Sequence, residues 1–545
     1  MKGIQKSPTE ESLYLEYSHQ AEGSIFPLHT SVALFLLSYC DCKVFNVYLV
    51  FSEENTDTSL LREALSQDVD VQFISRQALP PIVQNCCLPA VVEQPDVFCR
   101  AGLAVVLRHI IQKCYEAEPS RKEILGLLGF KKTCLKACAE VSQWTRLCEL
   151  TIPLAVENFL QGTFDQPPAI PEEILQLERK LSEPVRVHND DKLRRQKLKQ
   201  QKTAGVEPSS GKGKAKGKAG AQQPPKELAG SSKSLELKVA FSKLTVKDAA
   251  AANREPSHIR KAKASDLPPL EHVFAEGLYF TLADIVLLPS VHHFLIVICK
   301  KFSEKLEQFP LLTSWYQRIQ EVPKVKPAAS KCGIHFLNLP ELLNSESKAH
   351  MNSDEVTAAE EQNGPLFTGG PRPTMTKLMV TLIENKELSL IRAKKRSDEL
   401  GLSNIWFIQA NMEYFTGMFN IGVALHACGV ATDMVIQHCI QIRASFITCP
   451  CCYGFIQNTS KFSFPKSEKF KRTLSYKEHM ILCRFADQTA VQLPPQRRLI
   501  GKQCMCLVDM DRATAAEEQG YSVQVISMEP ESCSPKNNMI VGVPI

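Results

Sequence analysis

The residues best suited to chemistry fall in two short runs, His426-Ala427-Cys428-Gly429 and Cys449-Pro450-Cys451-Cys452-Tyr453. Imidazole, thiol and phenol side chains can hold a proton, attack an electrophile or bind a metal. Each run closes an apolar stretch, IGVALHA or SFITCP, that reads as a buried strand, and residues 431–442 between them read as a helix. Parallel α/β sheets collect ligands at the carboxyl ends of their strands, which is where both runs would lie. Cys449, Cys451 and Cys452 have no paired His or Cys at zinc spacing and no base to activate a thiol. They are therefore expected to bind no metal and to wall a substrate pocket together with Pro450, with Tyr453 offering an aromatic face.

The elements that must position these runs begin at Val380. Val380 to Ile383 reads as a strand ending in Glu384 and Asn385. LSLIRAKKRSDELGL follows as an amphipathic helix stopped by Gly401, and the next strand, Asn404 to Gln409, ends at Ala410-Asn411-Met412. QCMCLVDM, VQVISM and MIVGVPI supply further expected strands, with helices near 475–486 and 512–519. Such alternation argues a doubly wound, mostly parallel sheet over residues 380–545. An acid closing a strand, as Glu384 does, can accept hydrogen bonds from both hydroxyls of a ribose, so the expected ligand contains a nucleoside.

The run from His426 to Asp433, followed by Cys451-Cys452-Tyr453, resembles S-adenosylmethionine-dependent methyltransferase-like domains, including a group of tRNA ribose methyltransferases. That resemblance implies S-adenosylmethionine as cofactor. Glu384 and Asn385 would lie at its ribose, Asn411 and Met412 near its adenine, and His426, Cys428 and Gly429 beside the transferred methyl. Methyl transfer from a sulfonium needs mainly alignment of nucleophile and methyl. Methyltransferases of this fold open with a central strand and a Gly-rich turn whose backbone approaches the cofactor. Between Lys324 and Met379 the one candidate turn is Gly369-Gly370-Pro371, which follows Leu366-Phe367-Thr368 and no buried strand. The sheet is thus expected to lack its first strand. The chain would be a shortened form of a longer protein, with cofactor binding weak or lost and catalysis impaired.

The amino-terminal half reads differently. Residues 31–51 hold two apolar runs, VDVQFIS is strand-like, and Leu88-Pro89-Ala90-Val91-Val92 leads into a helix with apolar residues at helical spacing from Leu103 to Ile111. Residues 28–120 resemble the thioredoxin-like half of a glutathione transferase, in which a cis proline precedes a strand. After that strand the chain carries Phe98, Cys99 and Arg100 where glutathione transferases grip the γ-glutamyl group. Ser38, Tyr39, Cys40 and Cys42 all stand near the place of the catalytic hydroxyl or thiol.

Residues 121–166 and 270–325 show helical periodicity, with Cys134 and Cys138 expected as core thiols. Thr281 and Asp284 have the spacing of a helix cap. Both segments resemble the all-helical second domain of glutathione transferases, where Thr281→Ala would remove about 1 kcal/mol. The fold class is therefore α/β and all-α: a thioredoxin-like layer, a glutathione-transferase-like helical domain and an incomplete methyltransferase-like sheet. Glutathione transferases commonly pair through their first domain, so the resemblance allows a homodimer, while the sequence leaves the oligomeric state open.

Residues 167–269 form a basic, Gly/Pro/Ser-rich insert expected to lack packed structure, and 326–379 a linker. Lys192 to Lys218 contains ten Lys or Arg against one acid, Glu207, although the whole chain of 545 residues carries only +5. Clustered lysines release counterions from phosphate, which makes RNA the expected partner; a solvated loop is the plainer alternative. No run of roughly 18 apolar residues is evident, so no membrane partner is expected. Twenty cysteines without a disulfide pattern suit a reducing, cytoplasmic setting. Two functional alternatives stand beside methyl transfer: a scaffold without chemistry and a glutathione transferase.

Overall fold

The computed structural model describes residues 11–17, 26–51, 71–93, 97–129, 144, 146–162, 169–185, 191–204, 235–244, 267–339, 378–459 and 461–545. The chain divides into two compact units, Met1–Leu79 with Leu88–Glu360, and Pro80–Cys87 with Glu361–Ile545.

In the first unit, strand β1 (Glu11–Tyr17) runs parallel to β2 (Phe45–Phe51), which runs parallel to β3 (Val71–Ser75). On its other side β1 pairs antiparallel with β4 (Ala90–Glu93), and β4 with β5 (Phe98–Ala101). The strand order is β3-β2-β1-β4-β5. β1 was not expected from sequence, because the ESLYLEY segment is short and carries two acids. Its Glu11 is nevertheless buried, held by His109 and by Lys113 at 2.6 Å. The Leu88–Pro89 peptide before β4 is cis.

Helices α1 (Leu28–Cys40), α2 (Leu103–Ala117), α3 (Ile152–Leu160), α4 (Glu172–Ser182), α5 (Leu282–Lys301), α6 (Pro310–Ile319) and α7 (Val325–Lys331) share one apolar core with the strands. α5 packs on α1, α3 and α6. Its capping box forms as the spacing of Thr281 and Asp284 predicts. The fully buried Asp284 carboxylate accepts hydrogen bonds from Thr281 N–H (2.9 Å), Ala275 N–H (2.8 Å) and the Trp315 indole N–H (2.8 Å). One acid thereby ties the helix start to a preceding turn and to α6.

Three sequence expectations need correction here. α4 lies inside the 167–269 insert because Ile174, Leu177 and Leu181 make an apolar stripe that enters the core. Helix Asp191–Ala204 lies there too, and Arg194 and Lys197 on it donate to the carbonyls of Leu267, Pro268 and Pro269. The KGKAKGKAG run itself is outside the described residues, as are Cys134 and Cys138. The 326–379 linker begins later than expected, since α7, Ile334 and Leu339 are buried in the same core. α5 spans 20 residues with a mean hydropathy of 2.0 over an 18-residue window, long and apolar enough to cross a membrane, but 78% of that window is buried inside the protein.

The second unit is built from two parallel β-α-β crossovers. β6 (Val380–Glu384), α8 (Glu387–Glu399) and β7 (Ile405–Gln409) form one; β8 (Ile421–Leu425), α9 (Ala431–Gln441) and β9 (Ser445–Cys449) form the other. Helices α10 (Tyr476–Ala486) and α11 (Pro495–Glu517) precede the antiparallel pair β10 (Tyr521–Ser527) and β11 (Asn538–Pro544). β11 joins β9, giving a four-stranded sheet ordered β10-β11-β9-β8; β6 and β7 belong to a different sheet, in which β6 is terminal.

QCMCLVDM, expected as a strand, is the middle of α11. Met505, Val508, Asp509 and Arg512 are buried there at helical spacing, and the short apolar run alone does not separate the two periods. Gly542 on β11 stands opposite Phe446 on β9, where a Cβ would lie 2.1 Å from the ring, so the aromatic side chain occupies the space that a glycine leaves.

Candidate functional site

Parallel pairing brings the tips of β8 and β9 side by side, with Leu425 opposite Cys449. The loops beyond them are zipped together by backbone hydrogen bonds, His426 N–H to the Cys449 carbonyl (3.3 Å) and Gly429 N–H to the Cys452 carbonyl (3.0 Å). His426 and Gly429 both hold left-handed backbone, φ 61° and 59°. For a histidine that conformation costs about 1–3 kcal/mol and persists only where the surroundings impose it. The strain makes a turn tight enough to place the exposed Cys428 beside Cys451, Sγ to Sγ 3.4 Å. Cys451 and Cys452, adjacent in sequence, bring their sulfurs to 3.5 Å. Burial and then the neighbouring thiols push Cys451 up to about 12, and Cys452 is also raised, first through Cys428.

Under these loops lies a buried polar network that sequence reasoning missed. Arg512 on α11 grips Asp433 on α9 through two bonds, Nε–Oδ1 3.1 Å and Nη2–Oδ2 2.7 Å, and donates to the Gly429 carbonyl at 3.2 Å. Asp509, one turn earlier on α11, accepts from the Tyr453 hydroxyl (2.7 Å) and from Asn538 (2.9 Å). Thr432 donates to the Ala427 carbonyl at 2.6 Å. The Thr-Asp pair of the His426–Asp433 run and the Tyr of the second run are thus structural: they fix both loops to α11. A buried acid such as Asp433, placed one turn from Val430, was the available signal, but its arginine lies 79 residues away.

Tyr453 consequently corrects the sequence reading. It is fully buried, the Lys536 and Arg512 cations lie near its ring, and its hydroxyl is engaged by Asp509, so it presents no aromatic face to a substrate. Pro450 is buried, whereas Cys449, Cys451 and Cys452 are half-buried at the strand tip.

The other expected cofactor residues lie at the tips of β6 and β7, which pair in parallel with Glu384 opposite Gln409. Glu384 Oε1 accepts the Lys386 N–H at 2.9 Å, and Asn385, in the same turn, is exposed. Asn411 and Met412 are half-buried where a single 3-10 turn starts, closed by Tyr414 N–H to the Asn411 carbonyl at 3.0 Å. The structure therefore brings Glu384 and Asn385 together at one pair of tips and His426, Cys428 and Gly429 at another, in two different sheets. A cavity of about 300 Å³ lies between α9, residues 466–471 and α11, with Asp433 and Arg512 in its wall; none of the expected cofactor residues lines it.

Comparison with known proteins places these features. Residues 372–459 match a family model described as a methyltransferase domain. A mouse protein named glutathione S-transferase C-terminal domain-containing protein is 75% identical over 634 aligned positions, covering all of both chains. The human protein of that name is 70% identical over 633 positions, again with full coverage. The chain belongs to this family. A fruit-fly homolog is 28% identical over 634 positions, covering 98% of this chain and 99% of its own. No solved structure matches. The family combines a region like the carboxyl-terminal domain of glutathione transferases with a methyltransferase-like motif. The mouse alignment of 634 positions exceeds this chain's 545 residues by 89, so at least 89 aligned positions have no residue here.

Proposed function

We propose that this chain acts by binding, as a non-catalytic scaffold, and that methyl transfer from S-adenosylmethionine belongs to longer members of its family, with RNA as their substrate. The observation that carries this reading is the state of two strands. In β6, Val380 and Leu382 are 39% and 38% exposed; in β8, Ile421, Val423 and Leu425 are 55%, 72% and 65% exposed. Alternate residues of a strand share a face, and parallel strands of an α/β sheet are ordinarily covered on both faces. Among the described residues β6 and β8 are also terminal strands in the sheet orders. One further strand would pair with their open edges and its helix would cover their bare apolar faces. A strand, turn and helix need about 30 residues, which the 89 additional positions of the mouse alignment accommodate. Without them the tips bearing Glu384 and His426 lack the backbone cradle that would hold the cofactor's amino-acid end.

Isothermal calorimetry tests the reading directly. This chain should show no S-adenosylmethionine binding up to millimolar ligand, and a chain carrying the relatives' additional positions should bind. Micromolar binding by the present chain would overturn it.

The glutathione transferase reading is less well supported. Phe98, Cys99 and Arg100 are buried in β5, with Arg100 paired to Glu93 at 2.5 Å. Cys42 is pushed up by its hydrogen bond to Cys114 and by burial, and burial raises Tyr39, so neither is readied as a nucleophile.

A further inference from the structure

Cys428, Cys451 and Cys452 come from two loops and meet at one point, all three sulfurs lying within 4.8 Å of one another. A zinc–thiolate bond of about 2.3 Å sets tetrahedrally arranged sulfurs about 3.8 Å apart. The distances of 3.4 and 3.5 Å need to open by only a few tenths of an ångström to meet that value. The backbone that carries the thiols is held without help from a cation. The two zipping hydrogen bonds join the loops, Arg512 and Thr432 hold the Gly429 and Ala427 carbonyls, and Asp487 accepts the Tyr453 and Gly454 N–H groups at 3.1 and 2.7 Å. The strained His426 turn places Cys428 over the pair. Access is open as well, since Cys428 is exposed and its two partners are half-buried.

We propose that Cys428, Cys451 and Cys452 form a three-thiolate zinc site whose fourth coordination position is taken by water or by a donor atom of a ligand. Each thiol gives up its proton to solvent as its sulfur binds, so affinity rises with pH. Sequence spacing did not reveal the site because Cys428 lies 23 residues from Cys451 and joins the pair only through the β8–β9 pairing. The proposal is independent of the cofactor cradle, for the groups in it are placed by β8, β9, α9, α11 and the end of α10.

The test uses the purified full chain under reducing conditions, titrated with zinc against a chromophoric chelator and with cobalt as a spectroscopic probe. One zinc per chain is expected, and Cys428→Ser, Cys451→Ser and Cys452→Ser should each weaken it roughly tenfold or more. Each should also remove about a third of the thiolate-to-cobalt charge-transfer absorption. Cys506→Ser, at an exposed cysteine on α11, should leave both unchanged. Circular dichroism checks that the variants fold, and Ser at the exposed Cys428 disturbs no packing. Three results would each overturn the site: no zinc bound at micromolar concentration, equal binding by the C428S/C451S double variant, or a Cys428–Cys451 disulfide found in place of metal.

Discussion

Glu276 and Asp284 are carboxyls of the first unit whose values rise on folding. Burial, with the charges of Asp284 and Glu149, lifts Glu276 from 4.5 to about 7, and burial lifts Asp284 from 3.8 to about 6 against the hydrogen bonds it accepts. A carboxyl whose value rises on folding contributes stability that is whole below its unfolded value and is lost as pH rises through the folded one. Glu11 works in the opposite sense: burial raises it, but hydrogen bonds and charge from His109 and Lys113 leave it lowered, so its contribution falls away in acid. Burial lowers His292 to about 3 and His293 to about 4, which adds stability as pH rises and works against the carboxyl loss, so the Glu276 contribution is read as a difference between two proteins. Relative to the parent chain, Glu276→Gln should leave the thermal midpoint at pH 5 nearly unchanged and raise it at pH 8. An equal pH slope in the two proteins would show that Glu276 titrates normally.

The strands of the second unit divide into covered and bare. Phe446 on β9 is fully buried against Gly542 and Tyr521, so Phe446→Ala should cost about 3–5 kcal/mol in denaturant unfolding. Val423, on the neighbouring strand β8 at the end of the same sheet order, should tolerate Val423→Glu within about 0.5 kcal/mol. In a chain carrying the additional positions the same Val423→Glu should become destabilising by more than about 2 kcal/mol, because a charge would then be buried unpaired. From sequence β8 reads as a buried apolar strand; the structure leaves Ile421, Val423 and Leu425 exposed, because burial depends on neighbours supplied by other segments.

For the molecule as a whole, open apolar edges have a consequence in solution. Strands that are terminal among the described residues and carry bare apolar side chains template pairing with another chain, and a net charge of +5 over 545 residues offers little repulsion. Sedimentation velocity should show self-association that rises with concentration. Val423→Lys should reduce it, since an edge lysine disfavours strand pairing, whereas the chain with the additional positions should stay unassociated without any such change. Association that is equally strong in all three would place the contact elsewhere.

Local pattern was enough to establish the strands and helices of the two β-α-β crossovers of the second unit, the cap of α5 at Thr281 and Asp284, and the stop of α8 before Gly401. These features depend on residues a few positions apart, where periodicity, capping and backbone preference act directly. Tertiary structure alone decided that ESLYLEY is a central strand, that QCMCLVDM is helical, that Tyr453 is buried rather than displayed, and that Cys428 joins Cys451 and Cys452. Each of those outcomes turns on a partner far along the chain: β2 for β1, the α10 packing for α11, Asp509 for Tyr453, and the β8–β9 pairing for the thiols. Contacts between distant segments exist only once the chain has folded, and no local spacing encodes them.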